Sequence, residues 1–276
     1  MRTQVRRTPR RMPSSALSLL RTAATAALAL LCVTNAHAQQ WKLDSNIDGS
    51  ARMVHYNASN AADGWDLAVN VANGTQVTIL AQTVAPTSTG NSRNNTAPSG
   101  SGYSLPLGDP IVASDGTSRD LVAIANASQA TWSPFVTRYS GGSYYGAPGI
   151  AAVTLPVTLT TLGNYAFAQW TEFNNPSFTT IPSHVTNLGR GVFSQWEKYN
   201  QPFTWPAHLT VIPAFCCYFW RTFDSTFTFA GDVTEIGESA LREWVKFNQP
   251  FSLPSTVDTL GANTFAAWTH YCPTVP

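Results

Sequence analysis

Five tryptophans recur at near-constant intervals in the second half of the chain, and they restrict what it can fold into more than any other feature. They are Trp170, Trp196, Trp220, Trp244 and Trp268, spaced by 26, 24, 24 and 24 residues. An aromatic ring follows each by three positions, at Phe173, Tyr199, Phe223, Phe247 and Tyr271. A further register, Pro156, Pro182, Pro206, Ala230 and Pro254, keeps the same spacings. Registers that agree in this way mark an internal repeat, and a unit of about 24 residues suits one strand-bearing coil of a solenoid rather than a helix pair.

Before each proline slot the residues alternate with period two. Val153/Leu155, Phe203/Trp205, Phe227/Phe229 and Phe251/Leu253 fall on one face; Thr154, Thr180, Thr204, Thr228 and Ser252 fall on the other. This is the pattern of a half-buried strand, and stacked coils would pair such strands in parallel about 4.8 Å apart. A second extended piece follows, as in Leu209–Ile212 or Val233–Ile236. In most copies it ends at a glycine (Gly163, Gly189, Gly237, Gly261) that would let the backbone turn. The piece from that glycine to the next tryptophan, such as Gly237 to Trp244, is expected to form one or two helical turns. A single coil cannot bury enough to order itself, so the coils should fold cooperatively, with the aromatic columns as their shared core.

Two of the segments carry a resemblance. Ile181-Pro182-x-x-Val185-Thr186-x-Leu188-Gly189-x-x-Val192-Phe193 and Leu253-Pro254-Ser255-x-Val257-x-x-Leu260-Gly261-x-x-x-Phe265 are similar to the unit of the BspA-type leucine-rich repeat. The resemblance covers roughly Val153–Pro276. It implies a non-catalytic surface or secreted protein used in adhesion or protein recognition. The expected fold is therefore an α/β solenoid: a leucine-rich-repeat-like right-handed coil with parallel strands and about five turns of 24 residues, over residues 150–276.

The preceding sequence differs in character. Residues 1–38 read as a signal peptide, with six arginines, an apolar run ending at Val33, and Ala36-His37-Ala38 before a cleavage point. No later segment is apolar enough to cross a bilayer. Six of the sixteen basic residues and none of the fifteen acidic ones fall in that leader. The mature chain is thus acidic, which argues against a nucleic-acid partner. Residues 39–149 hold strand-like runs at Ala51–Tyr56, Trp65–Val71, Gln76–Val84 and Asp120–Ala125, with Asn73-Gly74 as a hairpin turn. They read as a small β-rich N-terminal region that caps the first coil. Residues 86–102 are almost wholly small and polar and read as a flexible loop.

Little in the sequence points to chemistry. Three cysteines follow the leader, and Cys217 shares a slot with Phe167, Phe193, Leu241 and Phe265, so it reads as core. His184 and His208 share a slot with Asp232, close enough along a coil column to share a cation; Thr158 and Thr256 fill the other copies, which fits a solvated column. The column Asn174, Asn200, Asp224, Asn248 is expected to bond backbone groups between coils. No catalytic residue, metal site or cofactor is expected. The exposed column Thr154, Thr180, Thr204, Thr228, Ser252 is the candidate ligand-binding face for an extracellular protein or glycan. The leading expectation is a secreted or cell-surface recognition protein. The alternative is an exported enzyme acting through Asp63, Asp66 or His55, with the repeats as a docking arm.

Overall fold

The computed structural model describes residues 41–45, 51–57, 60–80, 103–127, 135, 138–140, 143–145 and 150–272. The expected leader at 1–38 and the small-polar loop at 86–102 lie outside the described residues. In the N-terminal region the alternating runs become strands: β1 Trp41–Ser45, β2 Ala51–Asn57, β3 Asn60–Ala72 and β4 Gln76–Ile79, followed by β5 Tyr103–Pro106, β6 Ile111–Ala113 and β7 Ser118–Ile124. The strands β1 to β4 form an antiparallel meander. Its β3–β4 turn uses Asn73 and Gly74 at φ 53° and 68°, the two positive-φ positions that a type I′ turn requires. The Thr75 amide donates to the Ala72 carbonyl to close it, at 3.2 Å. β6 lies parallel to β1 and antiparallel to β7, and β7 lies parallel to β4, so the sheet curls back on itself. Trp41, Leu67, Val77, Ile79 and Leu121 fill its interior.

β8 Arg138–Ser140 and β9 Ser143–Tyr145 make a small hairpin, and β10 Ile150–Thr154 opens the repeats. From here each coil adds short strands to two parallel ladders. One holds β13 Phe203–Trp205 and β15 Phe227–Phe229, with a single bridge from Thr180 to Thr204. The other comes in two separate parts, β11 Thr161–Leu162 with β12 Asn187–Leu188, and β14 Val211–Ile212 with β16 Glu235–Ile236 and β17 Thr259–Leu260. The N-terminal strands continue both: β5 pairs with β10 and β7 pairs with β11, all in parallel. Residues 40–276 form one compact unit.

The aromatic columns are the core. Trp170, Trp196, Trp220 and Trp244 are fully buried. Their rings stack coil upon coil with centroids 5.8 Å apart and planes within 8° of parallel; Trp268 closes the column at 5.4 Å. The rings three positions on form a second stack, Phe173–Tyr199–Phe223–Phe247–Tyr271, at 5.7–6.2 Å. The two stacks interleave, as where Tyr199 meets Trp220 at 4.7 Å. These distances fall in the range where aromatic pairs attract beyond simple burial. From the second coil on, each indole of the column also spends its N–H on the preceding coil; that of Trp170, on the first, has no partner among the described residues. Trp196 donates to Phe167 O, Trp220 to Phe193 O, Trp244 to Cys217 O and Trp268 to Leu241 O, at 2.7–2.8 Å.

The segment between glycine and tryptophan corrects the α/β expectation: the described residues contain strands and turns, and none is helical. Two backbone positions per coil explain this. Tyr165 and Gln169, Phe215 and Phe219, Ser239 and Glu243, and Asn263 and Ala267 all have φ between 53° and 66°. Gly191 and Gln195 supply the same pair in the second coil. A left-handed residue interrupts any right-handed helix. The backbone bonds between coils instead: the amides of Phe215, Cys217 and Phe219 donate to the carbonyls of Glu238, Ala240 and Arg242. The glycine column has a different reason from the one expected. A Cβ on Gly237 would lie 2.5 Å from the Ala214 backbone, and one on Gly261 would lie 2.2 Å from that of Glu238. The slot is small because adjacent coils touch there.

The column predicts unequal costs. Trp220→Ala should destabilise the chain by about 3–5 kcal/mol, whereas Trp268→Ala, half-exposed on the final coil, should cost clearly less. Urea unfolding followed by circular dichroism measures both, and equal costs would contradict the stacked column.

Candidate functional site

The predicted strand alternation governs the candidate face, because residues flanking a buried ring must point away from it. Phe203, Trp205 and Phe227 are buried, while Thr228, between Phe227 and Phe229, is exposed and Thr204 is half-buried; Thr180, between Thr179 and the buried Ile181, is exposed too. Three members of the column are joined. The Thr180 hydroxyl donates to the Thr204 carbonyl at 2.8 Å, and the Thr204 and Thr228 hydroxyls lie 3.0 Å apart. Ser252 is exposed one coil further on, in a stretch that is not a strand. Thr154 stands apart, since its hydroxyl accepts from the Gly108 amide at 3.2 Å and β10 pairs with β5. The hydroxyls therefore serve the ladder first, and the surface they leave is small, uncharged and flat.

At the later coils this face opens into a groove of about 460 Å³, lined by Thr228, Phe229, Asp232, Ser252, Leu253 and Pro254. Here the inward expectation for two residues needs correction: Phe229 is half-buried and Leu253 is 36% exposed. No strand forms at 251–253, so nothing holds Leu253 against the core as β13 holds Trp205.

The column two residues after the proline slot is a backbone-bonding column. His208 Nε2 lies 2.9 Å from the Val185 carbonyl; Thr158 and Thr256 donate to the carbonyls of Leu121 and Val233 in equivalent fashion. His184 Nε2 is buried with no partner among the described residues, and no group of three or more His, Cys, Asp or Glu is gathered there that could hold a metal. The asparagine column does what its spacing implied. Asn174 Oδ1 accepts the Asn200 amide, Asn200 that of Asp224, Asp224 that of Asn248, and Asn248 that of Cys272, at 2.8–3.0 Å. Gln201 and Gln249 add side-chain bonds to the Asn174 and Asp224 rungs. A second ladder, Asn126 to Asn164 to Arg190, was missed; the Asn164 and Arg190 slots directly follow the glycine column and could have revealed it.

Cys216 and Cys217 are buried free thiols and Cys272 is exposed. Burial, with a bond from Cys216 next, holds the Cys217 thiol well above its ordinary range, so it is an apolar filler. Burial likewise raises the Tyr199 phenol, whose hydroxyl donates to the Phe178 carbonyl. The side chains of His55, Asp63 and Asp66 lie outside the described residues.

Stacked coils of about 24 residues, joined by parallel ladders and asparagine rungs, define a leucine-rich-repeat solenoid. Residues 138–271 match the BspA type leucine rich repeat region in 6 copies, and the repeats of this chain belong to that family. A solved structure that the chain matches in part is a leucine rich cell surface protein from Faecalibacterium prausnitzii A2-165, with a TM-score of 0.48 and 16% identity over 80% of this chain and 53% of that one. This chain thus spans about half of that neighbour's length. No curated protein matches the chain in sequence. No helix among the described residues is long and apolar enough to cross a membrane.

The rungs predict a graded response. Asp224→Ala removes the acceptor of both Asn248 N and Gln249 Nε2 and should cost about 1–3 kcal/mol; Asp224→Asn keeps an acceptor and should cost less than 1 kcal/mol, roughly. Chemical denaturation of the two variants measures the difference, and equal costs would show that the rung is not structural.

Proposed function

We propose that the chain is an exported, non-catalytic recognition protein whose strand face engages an extracellular protein or glycan. The observation that carries this reading is the groove beside Thr228 and Ser252, where Phe229 and Leu253 bring exposed apolar surface to an otherwise polar face that holds a single carboxylate, Asp232, in the groove lining. Exposed apolar surface rimmed by polar groups is the usual composition of an interaction site. The rest of the face supports the reading through its rigidity. Thr180, Thr204 and Thr228 are tied to one another, so little side-chain freedom remains to be lost on contact. The repeat family supports a recognition role over catalysis, and the leader pattern at 1–38 supports export.

A double substitution, Thr180→Arg with Thr228→Arg, places two long cations on the face without touching a buried ring. Binding of labelled protein to arrayed extracellular-matrix proteins and glycans tests it. The wild type should bind a subset of the array, and the variant should lose that binding by at least about tenfold, or about 1.4 kcal/mol, while still unfolding in one cooperative transition, lowered only by the two lost ladder hydrogen bonds. Retained binding by the folded variant would remove the strand face from the proposal.

A further inference from the structure

The third coil departs from its neighbours on the surface of its turn segment. Where the second coil has Gly191, Ser194 and Gln195, the third has Phe215, Tyr218 and Phe219. All three rings are half-buried, outside the aromatic columns. They contact one another: Phe215 meets Tyr218 edge-on at 5.5 Å, and Tyr218 meets Phe219 at 4.3 Å. Phe215 and Phe219 hold φ values of 58° and 66°, a conformation that disfavours bulky side chains. The first coil also has a ring in one of these slots, Tyr165, but the fold does not demand rings there, because the neighbouring coils fill the same two slots with Gly191 and Gln195, or with Ser239 and Glu243. Large side chains kept in a strained conformation on the surface point to a role beyond stability.

Each ring carries a guanidinium. Arg190 lies over Phe215 at 4.1 Å, Arg221 over Phe219 at 4.2 Å, and Arg242 near Tyr218 at 5.8 Å. These are three of the five Lys and Arg residues beyond position 149. Arg190 Nε also donates to the Tyr165 hydroxyl at 3.3 Å and pairs with Glu238 at 3.7 Å; Arg221 pairs with Glu243 at 3.4 Å. The Arg242 Nε is buried with no partner among the described residues. Stacking and pairing fix the planes of Arg190 and Arg221; Glu238 and Glu243 each take one terminal nitrogen, Nη2, so a partner's carboxylate would meet the other, Nη1.

We infer that this patch binds an acidic segment of a protein partner, with carboxylates on Arg190, Arg221 and Arg242 and an apolar side chain against Phe215, Tyr218 and Phe219. Aromatic rings with arginine are the residues that dominate protein interfaces. An anionic glycan fits less well. A sugar ring stacks on an open aromatic face, and here guanidiniums lie against the faces of Phe215 and Phe219. The inference rests on the recognition role proposed above but uses a different part of the coil from the threonine column.

The test uses the full chain and three defined probes: a random Glu–Tyr copolymer, polyglutamate and polygalacturonate, each followed by biolayer interferometry. The wild type should bind the copolymer at least about tenfold more tightly than either other probe, and added salt should weaken the binding. The triple variant Phe215→Gly, Tyr218→Ser, Phe219→Gln rewrites the third coil with residues that the second coil already accommodates. It should fold and lose the copolymer by at least about tenfold. Arg221→Ala with Arg242→Ala should lose it as well. The Thr180→Arg, Thr228→Arg chain should bind the copolymer as the wild type does, which separates failure of this patch from failure of the strand face. Equal binding of polyglutamate and copolymer, wild-type binding by the triple variant, or loss in the threonine variant would each overturn the inference. Tighter binding of polygalacturonate would assign the patch to anionic glycans and overturn it too.

Discussion

A hydrogen bond from one tryptophan to the coil before it sets the pitch of the molecule. An indole buried away from water must place its N–H, and for Trp196, Trp220, Trp244 and Trp268 the acceptor is a carbonyl of the preceding coil's turn segment, while Trp170 on the first coil has no acceptor among the described residues. That single requirement fixes the height of each ring above the last. The stacking at 5.8 Å follows from it, and so does the second column of rings that wedges between successive indoles. Because each coil completes the bonding of its neighbour, no coil is stable by itself. This is the behaviour expected of a one-dimensional array.

The backbone conforms to the same spacing. Two left-handed positions in each turn segment direct alternate amides out of the coil and onto the next one, where a helix would have bonded to itself. The glycine slot lets the coils approach at that corner, and asparagine rungs close the opposite turn. With its interior and backbone satisfied in this way, the repeat leaves its outward slots free to vary. The strand face stays polar and uniform. The turn face carries three rings in the third coil where the coil before it has Gly191, Ser194 and Gln195, and the arginines over those rings come from several coils.

Much of this was legible in the residues. The alternation at Phe203-Thr204-Trp205 gave strand, buried side and exposed side together, because period two leaves no other assignment. The tryptophan register gave the core, and the asparagine register gave the rungs. The turn segment was not legible. Tyr165, Phe215 and Gln169 carry no signal of positive φ, since such residues ordinarily avoid it, and the apolar spacing at Ala240, Leu241 and Trp244 reads equally well as a helical turn. The glycine column was visible, but its cause is a neighbouring coil 24 residues away in sequence, which no local pattern reveals. At the candidate face, exposure could be read from alternation, whereas the commitment of the Thr180 and Thr204 hydroxyls to the ladder could not. The aromatic patch showed only as an irregular copy; that its rings face outward depends on the turn that the sequence misrepresents.

Hydrogen exchange of the indole N–H groups tests the central claim most directly. Nitrogen-15 spectra of the full chain would resolve Trp196, Trp220 and Trp244 separately. If each indole donates to the coil before it within a buried stack, all three should exchange only when the array opens as a unit, with a shared dependence on urea that matches global unfolding. Exchange of any of the three at the rate of free tryptophan, or independent opening of the three, would contradict the account.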